Sequence, residues 1–186
     1  MASQNSKVIG LAIAGAVGGF LFGFDSSVVN GAIDAIKSDF ALGDALLGIT
    51  VAIALLGCAV GAFVAGRLAD RLGRIPVMLI GSGLFVVSAI AAGLATEVGV
   101  LIAARVVGGL GIGIASVIAP AYIAEISPAG IRGRLGSLQQ LAITVGIFAA
   151  LLSDAVFAGL AGGESQPLWL GLAAWRWMFL AGVVPG

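Results

Sequence analysis

The stretch GGFLFGFDSSVVNGAI, Gly18–Ile33, decides the fold. It closes an apolar run from Val8 to Ile33 whose single charged residue is Asp25. A membrane-spanning helix needs about 20 mainly apolar residues, and this run supplies them. A carboxylate at that depth costs roughly 2.5–3.5 kcal/mol on insertion scales, so such residues are kept for function. A second charge, Arg105, lies in the apolar segment ARVVGGLGIGIAS, Ala104–Ser116. An acid and a base within spans of one small chain point to a coupled pair.

Composition sets the class. The 186 residues are 60% hydrophobic and 10% charged, against about 25% charged in soluble domains. The reading is an all-α integral membrane protein. Nine basic and nine acidic residues cancel, and no basic face with interleaved aromatics calls for nucleic acid. Cys58, in ALLGCAVGAF, is the single cysteine and reads as a small core residue rather than a reactive thiol. With no histidine and no cysteine pair, neither a transition-metal site nor a cofactor is expected. An enzyme is disfavoured, because no serine stands beside a base either.

The polar N-terminus MASQNSK precedes a run too long for a signal-peptide core, so that run is read as the first span. The spans are expected at about 8–36, 45–65, 75–95, 98–123 and 135–160. A sixth starts near Trp175 and runs to Gly186, which gives the look of a truncated helix. Lys7, Arg67, Arg71, Arg74, Arg132 and Arg134 fall on one side, Lys37 and Arg176 on the other. The positive-inside rule then puts the N-terminus in the cytoplasm. The opposite loops are expected to hold Asp34, Asp39, Asp44, Glu97, Asp154 and Glu164. Trp169, Trp175 and Trp177 are expected to form an aromatic belt at the outer end of the last span.

Thirty glycines include Gly15, Gly18, Gly19 and Gly23 in one span and Gly108, Gly109, Gly111 and Gly113 in another. Small residues let membrane helices approach closely. A nucleotide-binding reading fails, since no strand precedes these glycines. Two loops carry charge: GRLADRLGRIP, Gly66–Pro76, and AEISPAGIRGRLGS, Ala124–Ser137. Each sets an acid, Asp70 or Glu125, near two or three arginines, with Gly and Pro at the turn. The plain reading is a positive-inside anchor. The sharper one is a charged latch that forms in one conformation and breaks in the other.

GRLADRLGR resembles the signature loop of the major facilitator superfamily. RVVGGLGIGIASVIAPAYIAEISPAGIRGRLGSLQQLAITVGI, Arg105–Ile147, is similar to spans four and five of its sugar porter family. GFLFGFDSSVVNGAI resembles that family's first span. The wording of SLQQLAITVGIF and AAWRWMF is nearest to bacterial glucose/proton transporters of the family. The likeness covers about residues 8–186. It implies a six-helix bundle built as a 3+3 inverted repeat, the N-terminal half of a twelve-helix fold, with the sixth helix truncated. The C-terminal half and the motif that follows span six in the family are then missing partners.

Residue chemistry and the resemblance converge on a sugar site. Gln140, Ile143, Thr144 and Ile147 share one face of span five by their spacing. An amide that donates and accepts suits adjacent hydroxyls, though an interhelical hydrogen bond would also satisfy it. Gln139 points about 100° away and is expected to pack or bond between helices. Phe22, one turn before Asp25, can stack on a sugar ring or simply pack in the core. The resemblance implies that Gln140, Phe22, Ile143 and Ile147 contact a hexose, glucose in the first instance.

Asp25 and Arg105 read either as a static ion pair or as a proton switch, since burial opposes the charged acid and a nearby arginine favours it. In the family an Asp at this position goes with proton symport. The resemblance also assigns Gly66, Asp70, Arg71, Arg74, Glu125, Arg132 and Arg134 to gating at the cytoplasmic mouth. Pro120 is expected to kink span four.

The implied function is hexose transport across the cytoplasmic membrane by alternating access, coupled to protons. Three rivals stand: a facilitative hexose uniporter, a drug/proton antiporter, and a membrane helix-association protein without transport. The antiporters carry a glycine–proline motif in span five that ITVGIFAALLSD lacks.

Overall fold

The computed structural model describes the backbone of residues 2–128 and 130–186, and side chains from Gly15 onward apart from residue 129. Lys7, counted above for orientation, lies outside the described side chains. Six helices follow in order: α1 (Ala2–Asp39), α2 (Asp44–Leu72), α3 (Arg74–Gly93), α4 (Val98–Ile126), α5 (Arg132–Ala161) and α6 (Ala174–Ala181). Five are long and apolar enough to cross a membrane.

Both charged segments expected as loops are mostly helix. α2 continues seven residues past Ala65, because Ala65 and Ala69 pack with Val77, Ile114 and Ile118 in one apolar cluster. Only Gly73 separates α2 from α3, at φ +88°, a conformation that side chains rarely adopt. Pro76 falls in the first turn of α3, where a missing N–H costs little. The second segment narrows to residues 127–131, since α4 runs to Ile126 and α5 begins at Arg132. α4 stays helical across Pro120. α6 stops at Ala181 and the chain turns at 182–185, short of the run expected to Gly186.

Hydrocarbon gives helices no hydrophobic reason to associate, so close backbone packing must do the work. α2 on α4 and α1 on α5 are the two most extensive interfaces. Both pairs run parallel and both are set by glycines. A Cβ on Gly109 or Gly113 would overlap the carbonyls of Ala54 or Cys58 in α2. A Cβ on Gly19 or Gly23 would overlap the carbonyls of Gln139 or Ile143 in α5. The two seams correspond if α1 is matched with α4 and α5 with α2, which is the 3+3 relation. α1 and α4 cross antiparallel, with Gly15 beside Ile123 and Gly18 beside Ala115 and Ala119.

At the acidic end a core cluster ties the halves together. Trp175 is fully buried, and its Nε1 donates to Asp39 Oδ2 at 2.7 Å. Arg176 lies over the Trp175 ring at 4.4 Å and donates to the carbonyls of Gly93 and Ala95. Trp175 is therefore a core residue and not part of a belt, because it closes the gap where α1, α3 and α6 meet. Trp169 is exposed and packs edge-on against Trp177.

Replacing Gly109 by valine should overpack the α2–α4 seam and destabilise the bundle by about 1–3 kcal/mol. Thermal unfolding in detergent checks this against Gly83→Ala, where a Cβ meets open space and little change is expected. Equal melting temperatures for the two variants would contradict the seam.

Candidate functional site

α1 and α4 bring Asp25 and Arg105 together at the level their antiparallel register dictates. Arg105 Nη1 donates to Asp25 Oδ1 at 2.6 Å. Both residues are buried, Asp25 7% and Arg105 4% exposed. The guanidinium carbon stands 6.0 Å from the ring centre of Phe179 in α6, a cation–π contact. Arg105 Nε has no hydrogen-bond partner among the described residues. The pair borders a cavity of about 280 Å³ between α1, α2 and α4, lined also by Phe22, Ser26, Cys58 and Ile112. The bridge thus has a buried side and a cavity side.

The four expected sugar contacts are not gathered in one pocket. Phe22 lines the Asp25 cavity, and no α5 side chain shares that lining. Gln140 and Ile147 are exposed, and Ile143 is half-buried. The physical reason is packing direction: Phe22 and Asp25 face α2 and α4 across that cavity, whereas Gln140 and Ile147 sit on the exposed side of α5. Gln139 packs against α1 at Gly19, with its Oε1 buried and unpartnered among the described residues. Thr144 Oγ1 donates to the Gln140 carbonyl at 3.1 Å, leaving the Gln140 amide outside that bond.

At the arginine-rich end the expected charge network is partly assembled. Arg74 bridges two acids. Its Nη2 lies 3.1 Å from Glu125 Oε1 and its Nη1 3.3 Å from Asp70 Oδ1. The Nε adds a bond to Glu125 at 3.2 Å. Glu125, and then Asp70, hold the Arg74 guanidinium in its charged form at the mouth of the bundle. Arg132 Nη2 donates to the Ser127 carbonyl at 3.3 Å, capping the C-terminal end of α4. Arg71 and Arg134 make no ion pair among the described residues. Gly66 is exposed, with open space where a Cβ would sit.

Four acids expected in the opposite loops lie in helices: Asp34 and Asp39 in α1, Asp44 at the start of α2 and Asp154 in α5. Asp154 is 5% exposed, because its side chain packs on α1 at Gly31. Its four-residue spacing from Ala150, itself fully buried, was the available signal.

The fold and these positions define a class, and comparison with known proteins agrees. The family model "Sugar (and other) transporter" matches residues 11–186. The chain belongs to that family, the sugar porters of the major facilitator superfamily, and has the fold of their N-terminal half. It is 57% identical over 171 residues to the glucose transport protein of Synechocystis sp., covering 91% of this chain and 36% of that protein. It is 38% identical over 179 residues to the arabinose-proton symporter of Bacillus subtilis, covering 96% of this chain and 38% of that one. The solved structure of the proton:xylose symporter XylE bound to 6-bromo-6-deoxy-D-glucose superposes with a TM-score of 0.89 at 31% identity. That match covers 98% of this chain and 43% of XylE. The chain thus spans well under half the length of these relatives, which are transporters and not enzymes.

Truncating one member of the buried pair should cost far more than removing both. Arg105→Met leaves Asp25 as an unpaired buried charge, a change worth about 3–5 kcal/mol. Adding Asp25→Asn should recover most of that loss. Thermal unfolding of the two single variants and the double variant tests it, and additive losses would show that the pair is not coupled.

Proposed function

We propose that this chain forms the N-terminal half of a hexose transporter, with glucose as the first substrate to test, coupled to protons by symport. The reading rests on one observation above others: a buried, hydrogen-bonded Asp25–Arg105 pair beside a cavity, in a sugar-transporter chain. The identity to a glucose transport protein supports the sugar, and the named proton symporters among the relatives support the coupling. A C-terminal six-helix half completes the site in this reading. The exposed face of α5, with Gln140 and Ile147, then looks into the cavity between the halves, and Gln140 hydrogen-bonds sugar hydroxyls there. Ile143 and Ile147 provide apolar wall, and Phe22 stacks on the ring once α1 shifts.

Coupling follows from the pair. Closed, the bridge satisfies both charges. When the helices move apart, Asp25 is left in an apolar cavity without a counter-ion, and binding a proton relieves it. Arg105 remains charged throughout. At the other end, Arg74 with Asp70 and Glu125 is the latch that holds the halves in one conformation, with Arg71, Arg132 and Arg134 completing it against the second half. The protein is multi-pass in the cytoplasmic membrane, with its arginine-rich end and N-terminus inside.

The complete transporter, in de-energised vesicles or cells, should alkalinise the outside when glucose is added. In Asp25→Asn that signal should vanish while exchange of labelled sugar continues. Glucose entry without proton movement would make the protein a facilitator and leave Asp25–Arg105 structural. Failure to move any hexose would reopen the antiporter reading.

The latch has its own test. Arg74→Glu should depress uptake severalfold, and the swap Arg74→Glu with Glu125→Arg should restore part of it. Undiminished uptake in Arg74→Glu would remove the latch from the account.

A further inference from the structure

We propose that Asp154 is a second proton-binding carboxyl, set in the α1–α5 seam opposite Gly31 and separate from the Asp25–Arg105 pair. Neither the ion pair, the sugar face nor the charge network uses this residue. It is 5% exposed, and both carboxyl oxygens are buried without a hydrogen-bond partner among the described residues. Its carboxyl is pressed onto the α1 backbone, where a Cβ on Gly31 would lie 2.7 Å from both its Cβ and its Cγ. No room remains on that side for a counter-ion.

The charged group that acts on it is an acid, Glu164. Asp34 follows Gly31 by one turn on α1, and Glu164 stands in the loop after α5. Burial, and then the charge of Asp34, pushes the Glu164 carboxyl up. The nearby bases are committed elsewhere. Lys37 pairs with Asp44 at 2.6 Å, and Arg176 of α6 is held by the carbonyls of Gly93 and Ala95. The adjacent Ser153 hydroxyl donates to the Ala150 carbonyl at 2.9 Å. An ionised Asp154 would be a bare anion in hydrocarbon facing the Glu164 carboxyl, whereas the neutral acid meets neither cost. With the seam closed, Asp154 therefore carries a proton. Opening the seam to water from the acidic end lets the proton leave and return.

The position gives this chemistry a place in the molecule. Gly31 is six residues beyond Asp25, about 9 Å along α1 at the helical rise. One helix thus has a carboxyl paired with arginine near its middle and another, without a cation, facing it closer to the acidic end. The proposal does not depend on Asp25 being the coupling acid.

The test is infrared spectroscopy of the complete protein in lipid nanodiscs, read at the C=O stretch of protonated carboxyls. Wild type at neutral pH should show a band that is lost in Asp154→Asn and kept in Asp25→Asn. The band should shift in Asp154→Glu, which retains the carboxyl and serves if the Asn variant fails to fold. It should also disappear reversibly as the pH is raised. Loss of a carboxylate band in Asp154→Asn at neutral pH would overturn the proposal, because Asp154 would then be ionised. A protonated band that titrates nowhere in the folded protein would overturn it equally.

Discussion

In hydrocarbon a charged side chain must find its partner inside the protein, and this constraint organises the bundle. Asp25 and Arg105 meet 2.6 Å apart between α1 and α4. They can do so because α1 and α4 run antiparallel with small residues at the contact. Gly18 lies on Ala115 and Ala119, so the two backbones come close enough for a short carboxylate to reach a guanidinium. Phe179 supplies an aromatic face to the same arginine and brings α6 into the arrangement. Breaking a buried bridge by removing one partner is costly, whereas the intact bridge adds little net stability. In the proposed function the pair serves as a switch and not as glue.

The glycine seams determine what can move. α1 with α5, and α4 with α2, meet by backbone contact at Gly19 and Gly23 and at Gly109 and Gly113. Each seam tolerates sliding and rotation better than interdigitated large side chains would. Phe22 and Asp25 border a cavity with α2 and α4, and Gln140 lies on the exposed face of α5, with α1 packed against both α4 and α5. In the proposed function a shift of α1 acts on the ion pair and the sugar face together.

Much of this was legible in the sequence. Long apolar runs gave the helices, and an isolated Asp25 and Arg105 gave the buried pair, because few alternatives exist for charges in such segments. The extents of helices were less legible. GRLADRL reads as a polar loop, yet Ala65 and Ala69 extend the apolar stripe of α2 through it, and tertiary packing outweighs local charge. Trp175 reads as an interfacial aromatic until its bond to Asp39 shows it closing the core. Asp154 was hidden because a lone acid near a span's end looks like a loop residue. Only the register of α5 against Gly31 reveals its burial. Which residues share a cavity was not legible either: Phe22 lines the Asp25 cavity, whereas Gln140 lies on the exposed face of α5, a relation set by helix packing and not by spacing within one segment.

The central claim is that the Asp25–Arg105 bridge exchanges a proton as the sugar site changes state. The most direct measurement is calorimetry of glucose binding to the complete transporter in buffers of different ionisation enthalpy. The account predicts a binding enthalpy that varies with the buffer, reporting protons moved on binding, and a loss of that dependence in Asp25→Asn. A wild-type enthalpy independent of buffer, or the same dependence in Asp25→Asn, would contradict it.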